Sequence, residues 1–361
     1  MAESNLHFTE QGSVDSGNGS IGKSTQGSTV RERTYLQAAG EKFLRDKVSV
    51  FAALLLLFMI GISVTAPWIG DNVLGFDPTD TNLRTRNKPP TWAETSWPLF
   101  EDFTKTCEDG CDWAMWGQIT SLSMRGIGEC FGMGLGECHW MGTDQAGRDV
   151  LTRGVYGGRL SLTFGFFVAL ISLTLGVFMG LLSGYYAATF IDDIVNAIIM
   201  TLGSIPVLFL LIILSSIFRP TPIGLAMMVG FFGWMGVSRL LRGQIFALRE
   251  REYIFASRAV GSSPWRIMFS HIFPNVASII IVVAVFDVAG AIIAEAGLSY
   301  LGVGIGPPLP SWGNMLQGSL GNFTDAPWLV LAPGFFIFLT SLSIYLLGDG
   351  LRDALDPWVK Q

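Results

Sequence analysis

Residues 247–275 read ALREREYIFASRAVGSSPWRIMFSHIFPN. A connection between packed helices is usually a handful of residues, and this one, from about Phe246 to Pro274, is far longer. It parses into three pieces. Arg249 to Val260 carries helix formers and charges. Gly261-Ser262-Ser263-Pro264 interrupts it, since Gly closes a helix and Pro opens the next. Trp265 to Ile272 reads as a second short helix, and Trp265, Ile267, Met268, Phe269 and Ile272 are too many apolar side chains for a solvated loop. The pattern predicts a helix–turn–helix with exposed apolar residues. Such a patch marks an interaction site or a helix lying on a membrane surface.

The surrounding sequence supplies the membrane. Half of the 361 residues are hydrophobic and 14% are charged, against about 25% charged in soluble domains. Mean hydropathy is +0.46. A helix needs about 20 apolar residues to cross a hydrocarbon core about 30 Å thick. Six stretches qualify: Val48 to Ile69, Leu160 to Tyr186, Ile194 to Phe218, Ile223 to Ile245, Val276 to Leu298 and Trp328 to Leu347. None alternates with period two as a barrel strand would. The predicted fold is an all-α polytopic membrane protein of six transmembrane helices. Residues 1–40 read as a disordered tail, because the Ser/Gly/Asn/Gln-rich leader has too little apolar surface to offset ordering. Its length also argues against a cleaved signal. Residues 41–70 hold the first span, 71–159 a long outer loop, and 160–357 the core.

Lys and Arg near span ends set orientation. Arg31, Arg33, Lys42, Arg45 and Lys47 precede span one. Arg239, Arg242, Arg249, Arg251, Arg258 and Arg266 crowd the end of span four and the connection after it. That face, with both termini, is expected to be cytoplasmic. Residues 67–159 carry 8 basic and 13 acidic residues, a net of −5. Arg148, Arg153 and Arg159 pull against this orientation. All four cysteines, Cys107, Cys111, Cys130 and Cys138, fall in this outer loop. An even set outside the cytoplasm reads as two disulfides of unspecified pairing; zinc is the rival reading, and no metal site is expected.

The quoted stretch resembles the EAA loop of ABC importer permeases, whose pattern opens on Glu-Ala-Ala and closes on Leu-Pro. Ala256, Gly261, Ile272 and Pro274 carry the resemblance, while Phe255, Ser257 and Phe273 replace its Glu, second Ala and Leu. Further segments are similar to the C-type permease of oligopeptide, dipeptide and nickel importers. They are His139-Trp140-Met141-Gly142-Thr143-Asp144 through Leu151, Glu295-Ala296-Gly297-Leu298-Ser299-Tyr300-Leu301-Gly302 with Pro307 to Gly313, and Leu347 to Pro357. Roughly residues 80–137 match nothing in that group. The family often has an acid six residues before Pro206, where this chain has Met200.

The resemblance implies a type I ABC importer fold. The 249–274 loop would couple to ATPase subunits through Ala256, Gly261, Trp265, Ile272 and Pro274. The implied partners are a second homologous permease, two ATP-binding subunits, an extracytoplasmic solute-binding protein and membrane lipid, without nucleic acid. The implied location is a prokaryotic plasma (inner) membrane. No cofactor and no catalytic residue are expected, ATP being used by other chains. The three histidines, His7, His139 and His271, lie in tail, outer loop and coupling loop, which argues against a membrane enzyme. A secondary transporter would show inverted repeats, which are not evident. Di- or oligopeptide is the expected solute, with a nickel chelate or another small solute as alternatives.

Local chemistry suggests further roles. Asp287 and Glu295, eight residues apart on a similar face of span five, are candidates for the translocation path, because intramembrane carboxylates default to function; the alternative is a hydrogen bond to a neighbouring helix. Asp192 and Asp193 read as favourable charge at a helix start. Gly176, Gly180 and Gly184 form a close-packing face. Pro206 and Pro333 are expected to kink their spans. Thr143 is a possible cap for a helix opening at Asp144, and Trp312 is expected at headgroup level.

Overall fold

The computed structural model describes residues 35–94, 96–98, 113–133 and 138–355. The leader before residue 35, with most of the expected disordered tail, lies outside them, as do Cys107 and Cys111. Tyr35–Arg45 forms α1, so order begins before residue 40. Its Lys42 ammonium donates to the Asp353 carbonyl at the far end of the chain. Asp46 then caps α2, Lys47–Val64, accepting from the amides of Val48 and Ser49. The Ser49 hydroxyl, followed by those amides, holds the Asp46 carboxyl below its ordinary range. A short α3, Ala66–Ile69, passes into a π-turn that ends on left-handed Gly75.

In the outer loop, α4 spans Trp113–Met133, and Cys130 and Cys138 are joined as a disulfide. The loop ends at α5, Val150–Tyr185, 36 residues long. Asp149 caps it, accepting from the Thr152 amide at 2.7 Å. This corrects the reading of Thr143 as the cap. Thr143 instead accepts from the Lys88 amide and donates to the Thr85 carbonyl, so it pins the loop. Gly142 and Gly147 are left-handed, at φ +72° and +75°, which suits glycine.

The third expected span is two helices, α6 (Phe190–Gly203) and α7 (Val207–Phe218), meeting at 73°. Pro206 has no N–H and cannot continue the ladder, so the expected kink is a break. α8 is Pro222–Arg249 and α9 is Glu252–Ala259. α10 runs unbroken from Pro264 to Tyr300 with a π-segment at Ile267–Ile272. The expected second short helix is therefore the first turns of span five. α11, Trp312–Leu316, follows. Last comes α12, Trp328–Leu355, which passes through Pro333 as one continuous helix. Among the described residues, five helices are long and apolar enough to cross a membrane, or six with the bent pair counted as one.

α5 and α8 are the central pair. A Cβ at Gly176 would lie 2.5 Å from Val237 Cβ, at Gly180 2.9 Å from Leu241 Cβ, and at Gly184 2.7 Å from Ile245 Cβ. Two ridges with the same four-residue repeat therefore interlock, and glycine lets the backbones approach. At the other end, Ser49 occupies the space a side chain at Gly350 would need, which docks α2 on α12.

Candidate functional site

The expected coupling loop is anchored from within. Ile254 of α9 has no solvent exposure. It joins a cluster with Leu181, Tyr185, Leu241, Ile245, Ile267, Met268 and Ile272. Arg249 Nη1 donates to the carbonyl of Tyr185, which ends α5, and to that of Ala187 in the turn beyond it, both at 3.0 Å. The Arg258 guanidinium sits 5.1 Å from the Tyr185 ring centre and 5.8 Å from that of Phe255, within cation–π range. Phe255, where the EAA pattern has Glu, thus packs against an arginine. Gly261 turns the chain at φ +85°.

The face away from the core is apolar and exposed: Val260 is 87% exposed, Trp265 52% and Phe255 48%. Trp265 stacks on Phe269, ring centres 5.9 Å apart. Of the five coupling candidates, Ala256, Gly261, Trp265 and Pro274 are on the surface. Ile272 is enclosed, as are Ile267 and Met268, so these three hold the loop in place and present nothing outward. The expected exposed set is corrected accordingly.

Beside this loop, Asp192 is buried and pairs with Arg242 through two hydrogen bonds of 2.7 Å. It also accepts from the Ser183 hydroxyl and the Ala188 amide. Helix-start charge was legible in the sequence; the partner fifty residues away was not.

On the opposite face, Arg153 is buried. It donates to the Pro78 carbonyl at 3.1 Å, contacts Asn314, and lies 3.5 Å from Asp144. Asp144 also receives Arg148 at 2.8 Å. Arg148 and Arg153 are therefore held by partners within this chain, whereas Arg159, the third arginine that pulls against the expected orientation, is exposed. His139 Nδ1 lies 2.9 Å from the capping Asp149, and its ring stacks on Phe76.

The two intramembrane carboxyl candidates separate. Glu295 has no exposure; Oε1 accepts from Ser299 and Ser311, each at 2.8 Å, and Oε2 from Ser161 at 3.2 Å. A side chain so enclosed lines no path within this chain. It ties α5, α10 and the α11 turn together. Trp312 completes the node from the core, donating to the Gly154 carbonyl at 2.8 Å and stacking on Phe336, rather than resting at headgroup level. Asp287 is only partly covered. Its Oδ2 is enclosed, and the Ser172 hydroxyl beside it is the one side-chain group that addresses its carboxyl among the described residues.

No group of three or more metal-ligating side chains occurs among the described residues. One sequence feature is passed over in the expectation that ATP is used by other chains. Gly17 to Ser24, GNGSIGKS, has the phosphate-loop spacing. It sits in the Ser/Gly-rich leader, without the apolar strand that such a loop follows, and lies outside the described residues.

Residues 172–361 match the family described as the binding-protein-dependent transport system inner membrane component, and residues 34–90 match the N-terminal transmembrane domain of oligopeptide transport permease C. The second match reaches residue 90, beyond the point where an unmatched insertion was expected to start. The oligopeptide transport system permease protein OppC of Haemophilus influenzae is 31% identical over 325 residues, covering 90% of this chain and 89% of that one. The dipeptide transport system permease protein DppC of the same organism is 32% identical over 333 residues, or 92% and 98%. DppC of Alkalihalophilus pseudofirmus is 42% identical over 221 residues, or 61% and 72%.

Proposed function

The chain belongs to the binding-protein-dependent inner-membrane transport components, and from that premise we propose that it is the C-type permease of an ATP-driven importer of di- or oligopeptides. The names of its relatives support the solute class. The observation that carries the coupling role is α9: a short helix fixed to the core through its own Ile254 and Arg258 and through Arg249 at the end of α8 just before it, with its outer apolar face unpartnered. That face would dock on an ATP-hydrolysing subunit. A second permease would complete the path, and a solute-binding protein would deliver the peptide. Both termini would be cytoplasmic, on the α9 side, and the outer loop with its disulfide on the other.

The chain's own contribution is a path and a mechanical link. ATP hydrolysis belongs to the partner subunits, and no residue here is assigned a catalytic role. Docking α9 would load the Arg258–Tyr185 contact and move the end of α5, whose interlock with α8 carries the displacement inward. Asp287, partly exposed where Glu295 is fully enclosed, is the path candidate that fits. The alternative solute, a nickel chelate, has no observation here that favours it.

The test is reconstitution with the ATPase subunits, the second permease and a binding protein. Peptide uptake should require all of them and ATP. Uptake by this chain alone, without ATP, would end the importer reading. Asp287→Asn should slow uptake while leaving assembly intact; unchanged affinity and rate would remove Asp287 from the path.

A further inference from the structure

The break between α6 and α7 carries more than a change of direction. α6 has 14 residues, so at 1.5 Å per residue Gly203 lies no more than about 21 Å from its start, within a hydrocarbon core about 30 Å thick. The helix is interrupted over Ser204 to Pro206, and Thr201, Gly203, Ser204, Ile205 and Pro206 are all exposed on this chain. Exposed non-helical backbone at membrane depth is tolerated against protein or water, not against lipid.

A charge sits at the same place. Arg239 of α8 is exposed and enters no ion pair among the described residues. Its Nη2 lies 3.7 Å from where a Cβ on Gly203 would be. The C-terminal end of α6 favours a cation beside it, which places the guanidinium against the elbow. Its neighbour Arg242 is committed to Asp192; Arg239 is not committed to anything here. The opposite side of the elbow is closed by Val195, Ile199, Trp234 and Met235, so the polar groups face away from the core.

We propose that the elbow at Thr201–Pro206 lines the water-filled solute path and that Arg239 receives the terminal carboxylate of the passing peptide. The carboxylate assignment rests on the peptide-importer reading; the aqueous assignment of the elbow does not. A planar guanidinium matches a carboxylate with two parallel donors. Around it, Thr201 and Ser204 supply hydroxyls, and Gly203 leaves room for the solute to approach.

The experiment uses the complete importer in nanodiscs and proteoliposomes. Ser204→Cys, shown first to retain ATP-dependent uptake, is treated with a charged, membrane-impermeant thiol reagent, and the modified site is read by mass spectrometry so that native cysteines do not count. Modification in the resting or nucleotide-trapped state is expected; none in either state overturns the aqueous assignment. Arg239→Gln should then lower peptide uptake about tenfold, the loss of one charged hydrogen-bonded contact. Arg239→Lys should keep most of it, and ATP hydrolysis stimulated by loaded binding protein should persist in both. Uptake unchanged in Arg239→Gln, or uptake and stimulated hydrolysis lost together, overturns the carboxylate assignment. So does a difference that vanishes in vesicles lacking anionic lipid, since the arginine would then be serving a lipid phosphate. Failure of the importer reading itself would appear earlier, as no ATP-dependent uptake by the unaltered complex.

Discussion

Single residues divide into those whose chemistry was legible in order along the chain and those whose partners are remote. Asp192 illustrates both. Its place in the first turn of a helix shows in the sequence, and the Arg242 pair does not. Removing Arg242 leaves a buried carboxylate unpaired. Arg242→Met should destabilise the protein by roughly 2–3 kcal/mol, below the range for fully enclosed pairs because Arg242 is partly exposed. The double variant with Asp192→Asn should recover much of that loss. Melting of the detergent-purified protein decides: a double variant as unstable as the sum of the singles would mean the two side chains do not act together. Tyr185 is the second case. As an aromatic at a helix end it looks like any other, yet it carries Arg258 above its ring. Tyr185→Leu should lower solute moved per ATP hydrolysed, with complex assembly kept; an unchanged ratio would remove this contact from the coupling route.

At the scale of elements, the sequence was most informative where a period repeats. Gly176, Gly180 and Gly184 announced a close face, and the structure matches them to Val237, Leu241 and Ile245 at the same spacing. Overpacking a fixed interface costs about 1–3 kcal/mol or more, so Gly180→Leu should lower the melting temperature and cut uptake. Gly243, with open space around it, is the comparison: Gly243→Ala should be neutral or slightly stabilising by helix propensity. Equal loss in both variants would show that the α5–α8 interlock is not what sets the stability. Boundaries were less legible. The Gly261 turn was evident, because glycine there takes a left-handed conformation. That Trp265 to Ile272 runs on into span five was hidden, since Pro274 sits where a helix usually opens, and here a π-segment ends one residue before the helix continues through it.

For the molecule as a whole, the first and last described helical segments meet. Lys42 reaches the Asp353 carbonyl, and Ser49 fills the space at Gly350. An even number of crossings requires this, and the contact supports it independently of charge. Reporters fused before residue 1 and after residue 361 should therefore give the same compartment, expected to be the cytoplasm. Opposite compartments would exclude six crossings.

The sequence by itself determined the membrane class, the apolar run lengths, the turn at Gly261, the glycine face and the family resemblance, because each is a local pattern: a run length, a period, a turn residue or a motif. Tertiary structure alone decided which charges are committed. Glu295 and Asp287 look equivalent on paper, eight residues apart on one helix. Three serines from three segments enclose the first, and only Ser172 stands beside the second. Arg153 and Arg239 are likewise two arginines near apolar runs, one buried among oxygen acceptors and the other bare beside a broken helix. Hydrogen bonds and ion pairs form across distances of tens to hundreds of residues, so the role of a charged side chain follows from what the fold brings beside it.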